Sequence, residues 1–400
     1  MIIYTHPSPL SEMKANTIQV LTNAFHLKNK LDHQFILIAR EGRDKNWKLN
    51  ISKHDDSVNK IIDKIEIVAV PNLLVLFENI PFKIIKSIFF RISSNIEGII
   101  YSIKTYERIR KKYKKVKVIY SRSYHIIFLY KTLLRRWPNV EFAIEVHDLP
   151  KSRLGLKMFK YVINKCKAVF VVTKEIGKEI RKISEIKTYW LPDAVGKDAI
   201  LKGEKSIIKK KEGEKKIGYM GRFTTYKKDK GVKEIINAFS DEQIRNKSKL
   251  VLIGATDQEY DHYFEIIKRQ KLEDRVEIYK FMPRSKALEI INQCDILIMA
   301  QPKTKFYNKH ISPLKLFEYM ALGKLILNSQ LLAIEEILPR NEFSLSFEPG
   351  DMQGMKKVMI EAIENYDCYF DMRKKVLAEV KKKYTWDQRS EEIIKKLGYT

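Results

Sequence analysis

Cysteine is scarce in this 400-residue chain, and its three copies, Cys166, Cys294 and Cys368, lie far apart. They form no CxxC pair, so neither a disulfide framework nor a zinc knuckle is supported. The histidines show no metal-ligand spacing either. We therefore expect no bound metal, and a reducing compartment as the setting of the protein.

Long apolar runs are also missing. No stretch of 18 residues is apolar and free of charge, and Met1–Tyr4 does not begin a basic segment followed by an apolar one. A membrane-spanning helix needs about 20 mostly apolar residues. We therefore expect a cytoplasmic protein that is neither secreted by a signal peptide nor membrane-spanning, with a peripheral position on the cytoplasmic membrane face left open.

Acidic residues are outnumbered. The chain has 76 Lys and Arg against 49 Asp and Glu, a formal net charge of +27. A positive field of this size implies an anionic partner, and nucleic acid, anionic lipid headgroups and phosphorylated substrates all satisfy that inference. The hydrophobic share of 44% and the charged share of 31% are those of a folded globular protein.

Short β-branched runs alternate with longer segments of helical period, which is typical of repeated strand-helix units and a parallel sheet. The runs of the first half are Ile2–Tyr4, Gln34–Ala39, Ile65–Val70, Val116–Tyr120, Phe142–Val146 and Ala168–Val172. Those of the second half are Lys216–Met220, Lys249–Ile253, Val276–Tyr279, Ile296–Met299, Leu325–Asn328 and Ser344–Phe347. The pattern predicts an α/β protein of two doubly wound domains in tandem.

A charged stretch separates the two series. Lys202–Lys216 holds seven lysines and three glutamates in fifteen residues, which indicates a solvated linker or insertion. We place the domain boundary near residue 195. At the far end, Ser390–Leu397 has helical period and is expected to return to the first domain.

The segment Phe82–Lys117 carries one long apolar stripe of helical period. Its members are Ile85, Phe89, Ile92, Ile96, Ile99, Ile103 and Tyr106. From Lys104 to Lys117 there are eight basic residues and one acidic one. Two interpretations stay open: a stripe that faces its own sheet, with cations that complement the helix dipole, or a surface that rests on anionic lipid.

The first motif with chemical content follows Lys216–Met220. A strand ends in Gly221, Arg222 comes next, and Lys230 precedes Gly231 at the start of a helical segment. Glycine lets the backbone approach a ligand, Arg offers a fork of donors, and Lys adds a point charge before a helix N-terminus. The pattern indicates a phosphate site, although a turn with solvated charges has the same sequence.

The second motif is His310–Lys324. Ser312 and Pro313 are an N-cap and N1 pair, so the sequence predicts a helix from there to Gly323. Glu318 then lies on the second turn of a helix near the carboxyl ends of the strands, where open α/β sheets bind ligands. A carboxylate there can accept both hydroxyls of a ribose, and the alternative is a solvated glutamate.

Together the two motifs resemble the nucleotide-sugar site of glycosyltransferase family 4, retaining enzymes of GT-B fold, in the branch with Ser312–Ala321 as its donor-site motif. The resemblance reaches most of the chain. Further matching segments are Ala15–Gln19, Tyr120–Arg122, Glu145–Asp148, Leu191–Val195, Glu348–Asp351 and Trp386.

The resemblance implies two Rossmann-like domains that face each other across a cleft: an acceptor-side domain at 1–195, a nucleotide-sugar domain at 196–375 and a C-terminal helix at 376–400 that crosses back. It implies that Arg222 and Lys230 clamp the donor diphosphate and that Glu318 binds the ribose. His147 would lie beside the transferred sugar. Donor contacts are also implied for Gly221, Ser312 and Lys315. No cofactor or metal is expected, and the donor is of the UDP or GDP type.

The implied function is retaining transfer of a sugar to a lipid-linked or surface-glycan acceptor in polysaccharide biosynthesis, at an anionic membrane surface and without nucleic acid. One departure is His310, where the family often has a second glutamate, so the role of His310 is left open. The alternatives are a GT-B relative that is inactive or acts as a nucleotide-sugar epimerase, and a basic nucleic-acid-binding protein, which lacks any recognised motif.

Overall fold

The computed structural model describes residues 1–10, 15–42, 48, 62–63, 65–70, 83–132, 139–207, 213–225, 228–340 and 342–399. The chain divides into two compact units. Unit 1 comprises Met1–Val172, Ile176–Leu191 and Ser390–Thr400, and unit 2 comprises Thr173–Glu175 and Pro192–Arg389. Each unit holds a parallel sheet with helices, so the predicted pair of doubly wound α/β domains is confirmed.

Unit 1 is built on a seven-stranded parallel sheet of order β3-β2-β1-β4-β5-β6-β7. Its strands are β1 (Ile2–Pro9), β2 (Phe35–Arg40), β3 (Glu66–Val68), β4 (Val118–Ser121), β5 (Glu141–Val146), β6 (Ala168–Val171) and β7 (Thr188–Trp190). The helices are α1 (Ala15–Leu31), α2 (Lys83–Lys112), α3 (Tyr124–Thr132), α4 (Arg153–Ile163) and α5 (Lys174–Arg181). All six predicted strands are present, and the sequence analysis missed only the three-residue β7.

Alternate residues of the β1 strand enter two cores, because both faces of the sheet are covered. Ile2 and Tyr4 pack with α1 on one face, and Ile3 packs with α2, α3 and α4 on the other. Ile393 and Leu397 are fully buried in the first of these cores.

Part of the apolar stripe of α2 faces away from the sheet. Ile96, Ile99 and Ile103 are 44–47% exposed, whereas Tyr101 and Ile109 from another face of the helix are buried. The expectation that the stripe faces its own sheet is therefore wrong for the three isoleucines, although it holds for Tyr106. The side chains of Ile85, Phe89 and Ile92 lie outside the described residues, as does Phe82. Among the helices described, none is long and apolar enough to span a membrane.

Three basic residues of α2, spaced one helical turn apart, contact β3 at the edge of the sheet. Lys104 Nζ donates to the Ala69 carbonyl at 3.0 Å, Arg108 Nη1 donates to the Ile67 carbonyl at 2.6 Å, and Lys112 forms an ion pair with Glu66. An uncovered sheet edge is a template for unwanted pairing, and charged side chains block it. Part of the basic segment therefore protects the β3 edge.

Unit 2 has a six-stranded parallel sheet of order β12-β11-β8-β13-β14-β15 and a two-stranded hairpin. The strands are β8 (Lys215–Met220), β9 (Thr224–Thr225), β10 (Lys228–Asp229), β11 (Ser248–Ala255), β12 (Val276–Lys280), β13 (Ile296–Met299), β14 (Leu325–Ser329) and β15 (Leu345–Phe347). The helices are α6 (Lys197–Ile207), α7 (Val232–Phe239), α8 (Glu242–Arg245), α9 (Asp257–Arg269), α10 (Arg284–Ile291), α11 (Leu314–Ala321), α12 (Leu332–Glu335), α13 (Met352–Glu364) and α14 (Phe370–Lys383). The last helix, α15 (Trp386–Lys396), begins in unit 2, and its residues from Ser390 onward belong to unit 1. Every strand predicted in this half is present.

The expected solvated linker is wrong over Lys202–Ile207, which forms the second half of α6. Gly203 and Ile207 are buried in α6. A Cβ on Gly203 would lie 1.9 Å from the carbonyl oxygen of Ala321, so only glycine permits this approach of α6 to the end of α11. Residues 208–212 of the expected linker lie outside the described residues.

Candidate active site

Two glycines shape the carboxyl edge of the unit 2 sheet. Gly221 follows β8 with a φ of 135°, and Gly254 forms a bulge in β11 with a φ of 117°. A Cβ on Gly254 would lie 2.6 Å from the Gly221 carbonyl oxygen. The two backbones therefore meet without side chains between them. The sequence analysis singled out Gly221 and missed Gly254, whose only signal is a glycine within an apolar strand.

The β9–β10 hairpin returns the chain to the end of β8. It pairs Lys228 with Thr225, and the Lys230 amide donates to the Phe223 carbonyl at 2.9 Å. Lys230 is thereby close enough to Arg222 for their charges to repel. Burial, followed by this repulsion, lowers the pKa of Lys230 to about 8. The structure thus brings together the two residues that the sequence motif paired.

Lys315 joins the pair from the first turn of α11. A Cβ on Gly221 would lie 3.7 Å from Lys315 Nζ, so the lysine runs past the glycine next to Arg222. Its Nζ lies 4.0 Å from the centre of the Tyr219 ring, is buried, and has no hydrogen-bond partner among the residues that the structure describes. Burial, followed by repulsion from Lys230, holds the pKa of Lys315 well below its ordinary value.

We call Arg222, Lys230 and Lys315 the three-cation cluster. In the part of unit 2 that the structure describes, no carboxylate forms an ion pair with any of the three, although the charge of Glu259 raises the pKa of Lys230. Three basic groups gathered without a counter-ion cost electrostatic free energy in the unliganded protein. An anion bound among them would remove that cost.

The amino end of α7, where the sequence predicts a phosphate, is already bound by a side chain of the protein. Asp229 Oδ1 accepts hydrogen bonds from the Gly231 amide at 2.5 Å and the Val232 amide at 2.7 Å, and Oδ2 accepts one from the Tyr263 hydroxyl. The first amides of α7 are therefore capped by Asp229, and the expectation that this helix end offers its amides to a phosphate is wrong. Asp229 was missed because a carboxylate between basic residues looked like a solvated charge.

Helix α11 differs from α7 at its start. Its N-cap is Pro313, and within the described part of the chain this N-cap makes no side-chain hydrogen bond to the first amides. The expected N-cap, Ser312, is wrong, because its hydroxyl instead accepts a hydrogen bond from the Asp193 amide at 2.9 Å. The helix ends as predicted, with Gly323 at a φ of 61° after Leu322. The uncapped amino end of α11 thus carries Lys315 of the three-cation cluster.

Glu318 lies on the second turn of α11 with its side chain 13% exposed. It is not a solvated glutamate, because Arg284 Nε donates to Glu318 Oε1 at 2.6 Å. Arg284 also reaches Asp198, with 2.7 Å between Nη1 and Oδ2. The sequence analysis missed this ion-pair chain, which joins three helices remote in sequence.

His310 ends a five-residue π-helical turn, Phe306–His310, and is 5% exposed. The turn is anchored by Thr173, whose hydroxyl donates to the Lys309 carbonyl at 2.7 Å. His310 is therefore a buried residue of the segment that leads into Ser312 and α11.

Unit 1 carries its own polar cluster at the carboxyl ends of β4 and β5. Glu145, 1% exposed, accepts from Arg122 Nη2 at 2.9 Å, lies 2.6 Å from His147 Nε2 and accepts from the Tyr120 hydroxyl. Arg122 Nε lies 2.8 Å from the same His147 nitrogen. His147 is one-third exposed, so a buried carboxylate and arginine fix an imidazole that reaches solvent.

His6, in the middle of β1, is a residue of this region that sequence reasoning missed. It is 2% exposed, and no residue that the structure describes forms a hydrogen bond with either ring nitrogen. Burial, followed by the charges of Arg122 and His147, lowers the pKa of His6 to about 3. His6 is therefore neutral at pH 7.

Comparison with known families finds a match over the second half of the chain. Residues 202–383 match the model of the family described as glycosyl transferases group 1. The matched part contains the three-cation cluster and Glu318. No curated protein matches the chain.

Comparison with solved structures gives matches over the whole chain. Sucrose-phosphate synthase from Thermosynechococcus elongatus has a TM-score of 0.69 at 13% identity, over 99% of this chain and 98% of that one. Anabaena HepE in complex with UDP-glucose has a TM-score of 0.69 at 13% identity, over 100% of both chains. The lipopolysaccharide outer core galactosyltransferase WaaB has a TM-score of 0.65 at 12% identity, over 99% of both chains. At these identities the likeness shows the fold, which is GT-B.

Proposed function

We propose that this protein is a retaining glycosyltransferase that needs no bound metal and moves a hexosyl group from a UDP-type or GDP-type donor. The observation that carries the proposal is the three-cation cluster, in which Lys315 Nζ is buried beside Gly221 and finds no hydrogen-bond partner in the described part of the chain. A diphosphate fits such a site because it is a compact polyanion. The family match over 202–383 and the UDP-glucose bound to HepE support the same donor chemistry.

The cluster acts on the step that breaks the bond between the sugar C1 and the β-phosphate oxygen. Negative charge develops on the departing diphosphate, and Arg222, Lys230 and the amino end of α11 stabilise it. The acceptor hydroxyl attacks C1 from the face that the diphosphate leaves, which retains the anomeric configuration. The leaving phosphate oxygen takes the proton of that hydroxyl, so atoms and charge balance.

Four further residues complete the proposal. Glu318 accepts the ribose hydroxyls, Gly221 lets the backbone approach the diphosphate, Ser312 lies where the chain enters α11, and His147 lies beside the transferred sugar. His147 suits that task because Glu145 and Arg122 fix its ring while one-third of its side chain stays exposed.

The proposal is tested by incubating the protein with UDP-glucose and with GDP-mannose in EDTA and identifying the products. Release of the nucleoside diphosphate with an α-configured sugar product by NMR is the expected result. A β-configured product contradicts retention, and an epimerised nucleotide sugar contradicts transfer. Loss of turnover in EDTA contradicts the metal-independent step.

We propose further that the acceptor is lipid-linked or a surface glycan, presented at an anionic membrane, as in polysaccharide biosynthesis. The exposed Ile96, Ile99 and Ile103 support this, because seven residues from Ile103 to Arg110 are two helical turns and place a cation on the same face. WaaB is, by its name, a galactosyltransferase of the lipopolysaccharide outer core.

Vesicle flotation tests the membrane proposal. We expect recovery with phosphatidylglycerol vesicles to exceed recovery with phosphatidylcholine vesicles, and Ile99→Ser with Ile103→Ser to lower it several-fold. Leu201→Ser, which removes an exposed apolar side chain of unit 2, is the control and should leave recovery unchanged. Equal recovery on both vesicle types contradicts the proposal.

A further inference from the structure

Arg284 is the first residue of α10, where a cation is unfavourable. The amino end of a helix carries a partial positive charge, and Arg284 adds a full one. Its guanidinium is held by Glu318 at 2.6 Å and by Asp198 at 2.7 Å. An arginine at this position therefore does not stabilise α10, and the contacts of its side chain with the two carboxylates explain its presence.

The two contacts use different nitrogens of one planar group. Nε meets Glu318 and Nη1 meets Asp198, so the guanidinium plane is fixed at two points. Asp198 belongs to the first turn of α6 and its side chain is 50% exposed, whereas that of Glu318 is 13% exposed. Asp198 anchors Arg284 from the outside, and Arg284 in turn fixes Oε1 of the more buried carboxylate.

We propose that Arg284 is a positioning residue for the donor ribose: it holds the Glu318 carboxylate in the orientation that receives the ribose hydroxyls, and Asp198 holds Arg284. A carboxylate has about four acceptor positions, and the Nε contact takes one of them while it fixes the rotamer. The inference rests on the proposed function, in which Glu318 binds the ribose.

The test compares UDP with 2′,3′-dideoxy-UDP, and GDP with its dideoxy analogue, by isothermal titration calorimetry. Arg284→Gln should weaken binding of the ribose-containing nucleotide about tenfold, the usual effect of one hydrogen bond to a charged group. Binding of the dideoxy analogue should change less than about twofold. Arg284→Lys, which keeps the charge and loses the fork, and Asp198→Asn should give smaller losses in the same direction.

Arg275→Gln is the matched control. Arg275 also lies in unit 2, is 33% exposed and contacts two carboxylates, Glu214 at 2.5 Å and Asp274 at 3.5 Å. Its substitution should leave both nucleotides bound as in the wild type. Midpoints of thermal unfolding without nucleotide show whether each variant is folded.

Two outcomes overturn the role of Arg284. Equal losses for the two nucleotides mean that it only supports the fold of unit 2, and tighter ribonucleotide binding in Arg284→Gln means that it competes with the ribose for Glu318. A separate variant, Glu318→Gln, tests the proposed function. If Glu318→Gln binds UDP and GDP as tightly as the wild type, Glu318 does not bind the ribose, and both claims fail.

Discussion

The ammonium nitrogen of Lys315 lies 4.0 Å from the centre of the Tyr219 ring, and the ring is completely buried. A cation over an aromatic face is attracted by the ring quadrupole, which offsets part of the cost of burying it without a hydrogen-bond partner. The ring thus holds Lys315 beside Gly221, where a diphosphate would complete its contacts.

Lys315→Met should lower the affinity for UDP or GDP by at least about tenfold, because a charge-assisted hydrogen bond is lost. The affinity for the free nucleoside should not change. Isothermal titration calorimetry measures both, with the solvent-exposed Lys280→Met as the control. Equal affinities of wild type and Lys315→Met for the diphosphate contradict a phosphate contact.

Diphosphate binding should weaken as the pH rises through 8. The pKa of Lys230 is about 8, so the side chain is cationic at pH 7 and mostly neutral at pH 9. A bound diphosphate raises this pKa again, so binding at pH 9 requires proton uptake and should be about tenfold weaker than at pH 7. The pKa of Lys315 is lowered as well, by burial and by repulsion from Lys230, so Lys315 acts in the same direction.

Lys230→Arg is the control for this pH dependence. Arginine keeps its charge at pH 9, so the variant should show a flatter profile than the wild type. Titrations in two buffers with different ionisation enthalpies measure the protons taken up. A wild-type profile that is flat from pH 7 to 9 contradicts the participation of Lys230.

Gly254→Ala should destabilise unit 2 by about 3 kcal/mol, because the new Cβ would lie 2.6 Å from the Gly221 carbonyl oxygen at a φ that favours glycine. Gly350→Ala separates the cost of the positive φ from the cost of the short contact. Gly350 has a φ of 85° and nothing within 4 Å of the added Cβ, so it should cost only about 1 kcal/mol. Thermal unfolding of the two variants should therefore give different midpoints, and equal midpoints contradict the close approach of the two backbones.

Glu145→Ala should destabilise unit 1 by about 4 kcal/mol, because Arg122 would be left buried without its counter-ion. Glu141→Ala, in the same strand, removes an exposed pair with Lys167 and should cost less than about 1 kcal/mol. Urea unfolding monitored by circular dichroism compares them. A Glu145→Ala transition that coincides with that of Glu141→Ala would mean that Arg122 does not depend on Glu145.

Substitutions among the basic residues of Lys104–Lys117 should separate protection of the β3 edge from binding to an anionic membrane. Lys104→Gln with Arg108→Gln exposes the edge of β3 and should increase self-association, measured by light scattering. Arg110→Gln with Lys111→Gln should lower binding to phosphatidylglycerol vesicles and leave self-association unchanged. The same effect of both pairs on both measurements contradicts this division.

Strands were predictable because burial on both faces selects β-branched runs, which the sequence displays directly. The pairing of Arg222 with Lys230 was also anticipated, since only eight residues separate them. The direction in which the apolar stripe of α2 faces was not predictable. The stripe of α2 faces away from the sheet at Ile96, Ile99 and Ile103, because the buried face uses residues such as Tyr101 that a hydrophobic count undervalues.

Contacts between distant segments left no signal in the sequence. Arg284 lies 34 residues before Glu318 and 86 after Asp198, and only the packing of three helices brings them together. The cap of α7 by Asp229 could not be predicted for another reason. Several amides lie near this carboxylate in sequence, and the sequence does not show which of them it binds. Both features decide which groups remain available to a phosphate or a ribose.

The most direct test of the account is thermal unfolding with UDP, GDP, ADP and CMP in turn, without metal, for the wild type, Arg222→Ala and the exposed control Arg245→Ala. A nucleotide at about one hundred times its dissociation constant adds roughly 2.7 kcal/mol to the stability of the folded state. We predict that UDP or GDP raises the midpoint of the wild type and of Arg245→Ala but not that of Arg222→Ala. No shift with any nucleotide, or the same shift in all three proteins, would contradict a donor site at the three-cation cluster.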